Sequence, residues 1–263
     1  MSSAGKRELG SGDRPFRQHA VAEPEQLGRA ADGLGGDCAS FLNELLLFHQ
    51  AAEVLLVQQA ACKRNGLDVH LRDARQVTGD TFGPFDAVAS LGAFEHFCSP
   101  EEHRAGRQET LYRGVFARIA SLLPDGGRFY LQTMVFGRNM IPLDRIDIDA
   151  PRASDAWYLA LMGRQFPGSF LPYGEQQIID SARPHFRLVS STSGRLDYIE
   201  TIREWRKRFA APSLRKTLLK LQLLPRWLTS ADFRLAFTSG VSANSACFER
   251  ELLDHHRLVF EKG

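Results

Sequence analysis

Between residues 83 and 135 the chain alternates strand, helix and strand, with punctuation that leaves little choice of fold. Phe85-Asp86-Ala87-Val88-Ala89-Ser90-Leu91 is a mostly apolar run after Gly83-Pro84, the pattern of a strand buried on both faces. A helical pattern follows from about Arg107 to Leu123 and stops at Pro124-Asp125-Gly126-Gly127, a strong turn signal. Arg128 to Val135 reads as the next strand. Two strands joined through a helix imply a right-handed crossover and a parallel sheet. The expected fold class is therefore α/β, with a Rossmann-like sheet.

The rest of the chain fits around that unit. Residues 1 to 38 hold few large apolar residues and keep no period of 2 or 3.6, so the expectation is a largely disordered or unrelated segment. Leu42, Leu45, Leu46, Val54, Leu55, Val57 and Ala61 recur at helical steps up to the Asn65-Gly66 stop, and Leu67 to Leu71 alternates like a short strand. Residues 39 to 263 are thus expected to form one partial α/β domain. The stretch 136 to 172 breaks the alternation. It includes a helix over Arg152 to Arg164 ended by Phe166-Pro167-Gly168. An insertion there should cap the ligand-binding edge of the sheet. A helix over Glu175 to Arg183, a strand over Phe186 to Ser191 and a helix over Tyr198 to Phe209 follow. Helical pieces then continue to about Leu253, and Arg257 to Glu261 reads as a last strand at the end of the sheet.

Bulk properties exclude several classes. With 263 residues and a net charge of +2, the chain is not built for bulk nucleic-acid binding. Cys38, Cys62, Cys98 and Cys247 show no C-x-x-C spacing, so a zinc site or redox pair is not expected, and a reducing compartment fits. No secretory leader is visible and no run reaches about 18 apolar residues. The expected location is cytoplasmic, with a peripheral position at the inner membrane face left open.

Five landmarks, in order, carry a resemblance. They are Phe85-Asp86-Ala87-Val88 through Gly92-Ala93-Phe94-Glu95-His96-Phe97; Leu122-Leu123-Pro124-Asp125-Gly126-Gly127-Arg128 with the strand to Thr133; Phe166-Pro167-Gly168 with Leu171-Pro172; Asp197-Tyr198-Ile199-Glu200-Thr201-Ile202 with Trp205; and the closing Val259-Phe260-Glu261-Lys262. Over residues 45 to 263 the chain resembles the cyclopropane-fatty-acyl-phospholipid and mycolic acid cyclopropane synthases, which are class I S-adenosylmethionine-dependent methyltransferases. The resemblance implies a class I methyltransferase sheet with a helical cap. It also implies S-adenosylmethionine as cofactor, an unsaturated acyl lipid or phospholipid as substrate, and a cyclopropane or methyl-branched product. Two features of the family have no counterpart: the strand with a G-x-G-x-G loop, and the next strand with its acidic ribose-binding residue. Gly33-Leu34-Gly35-Gly36-Asp37 has no apolar strand before it and is a poor cofactor-loop signal. The expectation is a sheet without its first strands, an incomplete N-terminal part and weakened or lost cofactor binding.

The resemblance also points to individual residues. Glu95 matches a glutamate that helps hold bicarbonate beside the reacting alkene. For two anions to meet, one must carry a shared proton, so Glu95 would need a raised pKa; a helix-cap contact is the plain alternative. Gln132 stands where the family often has His. An amide can donate and accept hydrogen bonds but cannot carry a proton at neutral pH, and it could equally just close a strand. Tyr198 matches a tyrosine on the same bicarbonate, or is a packing aromatic at a helix start. Asp73 would bind the adenine amine, or simply form a turn. Ser90, Leu91, Gly92 and Ala93 would run along the methionine part of the cofactor. His255-His256 cannot chelate one ion, because neighbours on a strand face opposite ways.

From 201 to 230 the chain carries eight basic residues against Glu204 alone, interleaved with leucines and Trp227. That is the composition of a helix lying on an anionic membrane, or of a solvated helix with its apolar side in the core. Three functions stay open. The chain is a lipid-modifying methyltransferase, a catalytically dead lipid- or partner-binding module, or a small-molecule methyltransferase.

Overall fold

A computed structural model describes residues 19–22, 68–71 and 77–263. Asp73, the glycine cluster 33–37 and the helical pattern of 39–64 lie outside the described residues. Strand β1 (His19–Ala22) pairs in parallel with β2 (Asp68–Leu71) as a separate two-stranded sheet. β2 is the short strand expected there. β1 falls inside the segment 1 to 38, whose sequence carries no strand pattern.

The main sheet has the order β3-β4-β6-β5. It is built from β3 (Ala87–Leu91), β4 (Arg128–Phe136), β5 (Phe186–Ser193) and β6 (Leu253–Lys262). β3 and β4 run parallel, whereas β6 is antiparallel to both of its neighbours. The sequence expectation placed the last strand at the end of the sheet. Instead β6 is inserted between β4 and β5. Leu258 and Phe260 on it are fully buried, an apolar load that a central position satisfies and an edge would leave wet.

The helices follow local rules. After α1 (Gly79–Phe82), α2 (Pro100–Arg104) opens with a capping box in which Ser99 and Glu102 satisfy each other's backbone N–H. In α3 (Gln108–Ser121), Tyr112, Val115, Phe116 and Ala120 recur on one face and are buried. α3 and α5 (Gly174–Ala182) cover one side of the sheet. Alternate β4 residues Phe129, Leu131 and Val135 pack there with Phe116, Phe186 and Phe260. The ring centroids of Phe116 lie 5.6 to 6.1 Å from those of Phe129, Phe186 and Phe260, a spacing at which edge-to-face pairs attract.

The other side is covered by α4 (Asp155–Gln165), α6 (Arg195–Ala210) and α8 (Ala231–Glu249), with α7 (Leu214–Thr229) outside them. Trp157, Leu161, Ile199, Ile202, Ala243 and Phe248 form one apolar cluster there. The cap is thus larger than the insertion 136 to 172. Its helix α4 cannot bury Trp157 and Leu161 alone and packs against α6 and α8 from the far end of the chain. Among the described residues no helix is long and apolar enough to cross a membrane.

Candidate active site

β3 ends at Leu91, opposite Gln132 and four residues before β4 does, and the space at its C-terminal end is the candidate site. Gly92 follows β3 with φ +62 and donates its N–H to the Gln132 carbonyl at 3.0 Å. A residue with a Cβ resists that backbone. The turn carries the chain into a single 3-10 turn, Phe94–His96, which stands beside β4 where β3 would have continued. Phe94 plugs into the core against Tyr112 and Phe116. That anchor drives Glu95 inward until it is only 5% exposed.

Glu95 is the dominant electrostatic feature. Burial pushes its carboxyl up from the usual value of 4.5 to about 7. Two hydrogen bonds resist the shift, its own backbone N–H and the Thr133 hydroxyl, which donates to Oε2 at 2.8 Å. A carboxyl poised near neutrality can accept a proton or share one with an anion, which an ordinary carboxylate cannot do at pH 7.

Tyr198 approaches from the opposite side of the sheet, at the start of α6. Its ring stacks on His255 at 5.3 Å and packs on Phe248 at 4.6 Å. Burial pushes the hydroxyl up to about 12; an Asn244 hydrogen bond opposes this, and the nearby Glu95 charge adds to it. The phenol is therefore a neutral donor. The structure brings Glu95 and Tyr198 into one electrostatic neighbourhood. It does not bring Gln132 to Glu95. Residues 132 and 133 face opposite ways along β4; the Gln132 amide oxygen accepts from the Tyr130 hydroxyl at 3.3 Å, and Thr133 takes the place on the carboxylate.

A clamp roofs the site. The Phe170 N–H donates to the Cys98 carbonyl at 2.8 Å, Tyr112 donates to the Phe170 carbonyl at 3.2 Å, and Gln108 donates to the Leu171 carbonyl at 3.0 Å. His96 Nδ1 and Ser169 Oγ are 2.6 Å apart, and the Phe136 N–H reaches the Pro172 carbonyl at 2.8 Å. The expected cap segment, Phe166 to Pro172, is thereby tied over the turn that carries Glu95. Thr133, Asn244 and the Gln108–Tyr112 pair were not singled out from the sequence. Thr133 was accessible to it: alternation along β4 places it on the buried side of Phe129 and Leu131. Asn244 carries no such signal, since its amide meets Tyr198 only through the packing of α8 on α6. Its Oδ1 is buried and has no hydrogen-bond partner.

Ser90 to Ala93 form the C-terminal rim of β3. Leu91 is 61% exposed, and a Cβ on Gly92 would stand 3.8 Å from Glu95 Oε1. This open, apolar-edged rim fits a ligand laid against the backbone at the threshold of the carboxylate. His255 and His256 divide between the two faces of β6. His255 lies on Tyr198, while His256 sits 3.3 Å from both Glu175 and Asp254.

A mixed sheet covered by helices on both faces, with a polar site at the C-terminal end of β3, has the fold of the class I S-adenosylmethionine-dependent methyltransferases. Solved structures share it. The cyclopropane synthase MmaA2 from Mycobacterium tuberculosis matches with a TM-score of 0.52 at 19% identity, over 74% of this chain and 61% of its own. Phosphoethanolamine N-methyltransferase 2 from Haemonchus contortus, in complex with S-adenosyl-L-methionine, matches with a TM-score of 0.55 at 16% identity, over 95% and 50%. Within that class, the chain belongs to the mycolic acid cyclopropane synthetase family, whose profile matches residues 49–227. It is 25% identical over 218 residues to the cyclopropane-fatty-acyl-phospholipid synthase of Escherichia coli K12, which covers 81% of this chain and 46% of that protein. The chain thus spans about half the length of the curated relatives it matches.

Proposed function

We propose that the chain transfers a one-carbon unit from S-adenosylmethionine to the cis double bond of an unsaturated acyl chain in a lipid. The observation that carries this reading is the buried Glu95 carboxyl, held near neutrality by desolvation and hydrogen-bonded by Thr133. Bound cofactor would supply an electrophilic methyl group. The residues of this chain that would hold it are Ser90, Leu91, Gly92 and Ala93 along its methionine part, and Asp73 at the adenine.

The alkene's electron pair forms the new carbon–carbon bond as the S–CH3 bond breaks, leaving a cation on the second alkene carbon. Loss of a proton from the transferred methyl closes a cyclopropane ring. Loss from a neighbouring carbon leaves a methyl-branched alkene. Either way a base must take the proton beside a developing positive charge. Glu95 takes that role in this reading, directly or by sharing a proton with a bound bicarbonate. Tyr198, kept neutral, donates a hydrogen bond to the same anion, and Thr133 fixes the Glu95 rotamer. Gln132 is a hydrogen-bonding neighbour on the strand and carries no proton. The clamp at Ser169 to Pro172 keeps bulk water from quenching the cation.

Transfer of labelled methyl to monounsaturated phospholipid vesicles tests the assignment. Glu95→Gln should lower the rate by about 100-fold or more, and Tyr198→Phe by about tenfold. A Glu95→Gln chain as active as the parent would remove Glu95 from the chemistry. The comparisons lend no support to the reading as a catalytically dead binding module.

A further inference from the structure

Helix α7 turns its apolar residues outward. Leu214, Leu218, Leu221, Leu224 and Leu228 are all exposed, Leu214 by 78%. Their spacing of four, three, three and four residues puts them on one face. Leu223, on the opposite face, is buried against Phe233, with Phe209 and Phe237 beside it. The helix is therefore seated by its inner side and leaves a leucine ridge about four turns long with nothing of the described chain against it.

Lys216, Lys220 and Arg226 of α7 do not line that ridge. Lys216 Nζ donates to the Ala211 carbonyl at 2.9 Å and also reaches the Arg208 carbonyl, capping the end of α6. Lys220 sits 5.3 Å over the Phe209 ring, and Arg226 4.9 Å over Phe233. Among the described residues, further positive charge stands at the end of α6, next to the start of the ridge. Arg206 and Arg208 are exposed, with no ion pair at contact distance among the described residues, whereas Arg203 and Lys207 are paired with Glu200 and Glu204.

We propose that this face docks on an anionic phospholipid surface, with the α7 leucines entering the acyl boundary and Arg206 and Arg208 meeting the headgroups. A ridge of bare leucines with arginines at one end matches the layered chemistry of a membrane interface. A single row of side chains is narrow for a second copy of the chain, which would need to bury roughly 800 Å² per partner. The sequence of 201 to 230 suggests a single basic, amphipathic, Trp-bearing helix. The structure divides the labour instead: α7 inserts and α6 supplies the charge. This inference concerns where the protein sits, not what it transfers, so it stands or falls apart from the methyl-transfer reading.

The test is co-sedimentation of the full chain with vesicles of saturated phosphatidylglycerol and phosphatidylcholine, which contain no alkene. The parent chain should bind the mixed vesicles and not pure phosphatidylcholine. Leu218→Glu with Leu221→Glu should weaken binding by at least roughly tenfold, with an unchanged circular dichroism melt. Should those charges disturb the helix, Leu218→Gln with Leu221→Gln serves the same purpose. Arg206→Glu with Arg208→Glu should weaken it by at least roughly tenfold and remove most of its salt dependence. No vesicle binding by the parent, unchanged binding by the leucine variants, or equal binding to neutral vesicles would each overturn the proposal. So would a dimer in solution that the leucine variants dissociate, since a second copy would then own the ridge.

Discussion

At the scale of single residues, Glu95 is the group on which the proposed chemistry rests, and it is a cost to stability. Its pKa is raised in the fold, from 4.5 to about 7. The stability it allows is therefore complete below about 4.5 and lost as pH rises through about 7, where a buried charge must be held. Glu95→Gln removes that charge and can still accept the Thr133 hydrogen bond. At pH 5 the variant should be only slightly more stable than the parent; at pH 8 the gap should widen to roughly 2–3 kcal/mol, read from paired urea melts. A difference independent of pH would mean that the carboxyl is not held neutral by burial. The position of Glu95 was legible from the sequence, because an apolar run ending at Gly92 marks the active edge of such a sheet. The landmark stretch drew attention to Gln132, but the alternation of β4 turns 133, not 132, toward the turn that carries Glu95.

At the scale of elements, the junction of β4 with β6 leaves no room for a side chain. Gly137, just past β4, donates to the Leu252 carbonyl at 2.8 Å, and a Cβ there would lie 2.1 Å from the Glu251 carbonyl oxygen. Backbone cannot yield cheaply, so Gly137→Ala should cost about 1–3 kcal/mol or more. Gly163, inside α4, has nothing within 4 Å of its Cβ position. Gly163→Ala should stabilise by about 0.5–1 kcal/mol. Thermal melts of the two alanine variants should move in opposite directions; movement in the same direction would contradict the packing described. Strand and helix existence was readable in this region because each rests on local periodicity. The place of β6 between β4 and β5 was not, because strand order is set by contacts distant in sequence. The outward face of α7 was hidden for a related reason. Leucines lie on both of its faces, and only tertiary packing selects Leu223 for the inside.

At the scale of the whole molecule, the fold class and the family were legible from five ordered landmarks, of which no single one would have sufficed. The extent of the cap was not. The packing of α4 on α6 and α8 joins residues about 40 to 90 positions apart, and no local pattern announces it. That packing is what sets Tyr198 and Asn244 on one side of Glu95 while α3 and the Ser169 to Pro172 clamp close the other. On the proposed function, a buried carboxyl in an apolar setting suits a cationic reaction on a hydrocarbon better than one on a hydrated headgroup.

The most direct measurement is the mass of the acyl chains recovered after the protein is incubated with S-adenosylmethionine and vesicles of a monounsaturated phospholipid. The account predicts fatty acids heavier by one CH2, formed by the parent chain and lost in Glu95→Gln. Label appearing in the headgroup, or unchanged acyl chains under conditions where cofactor is bound, would contradict it.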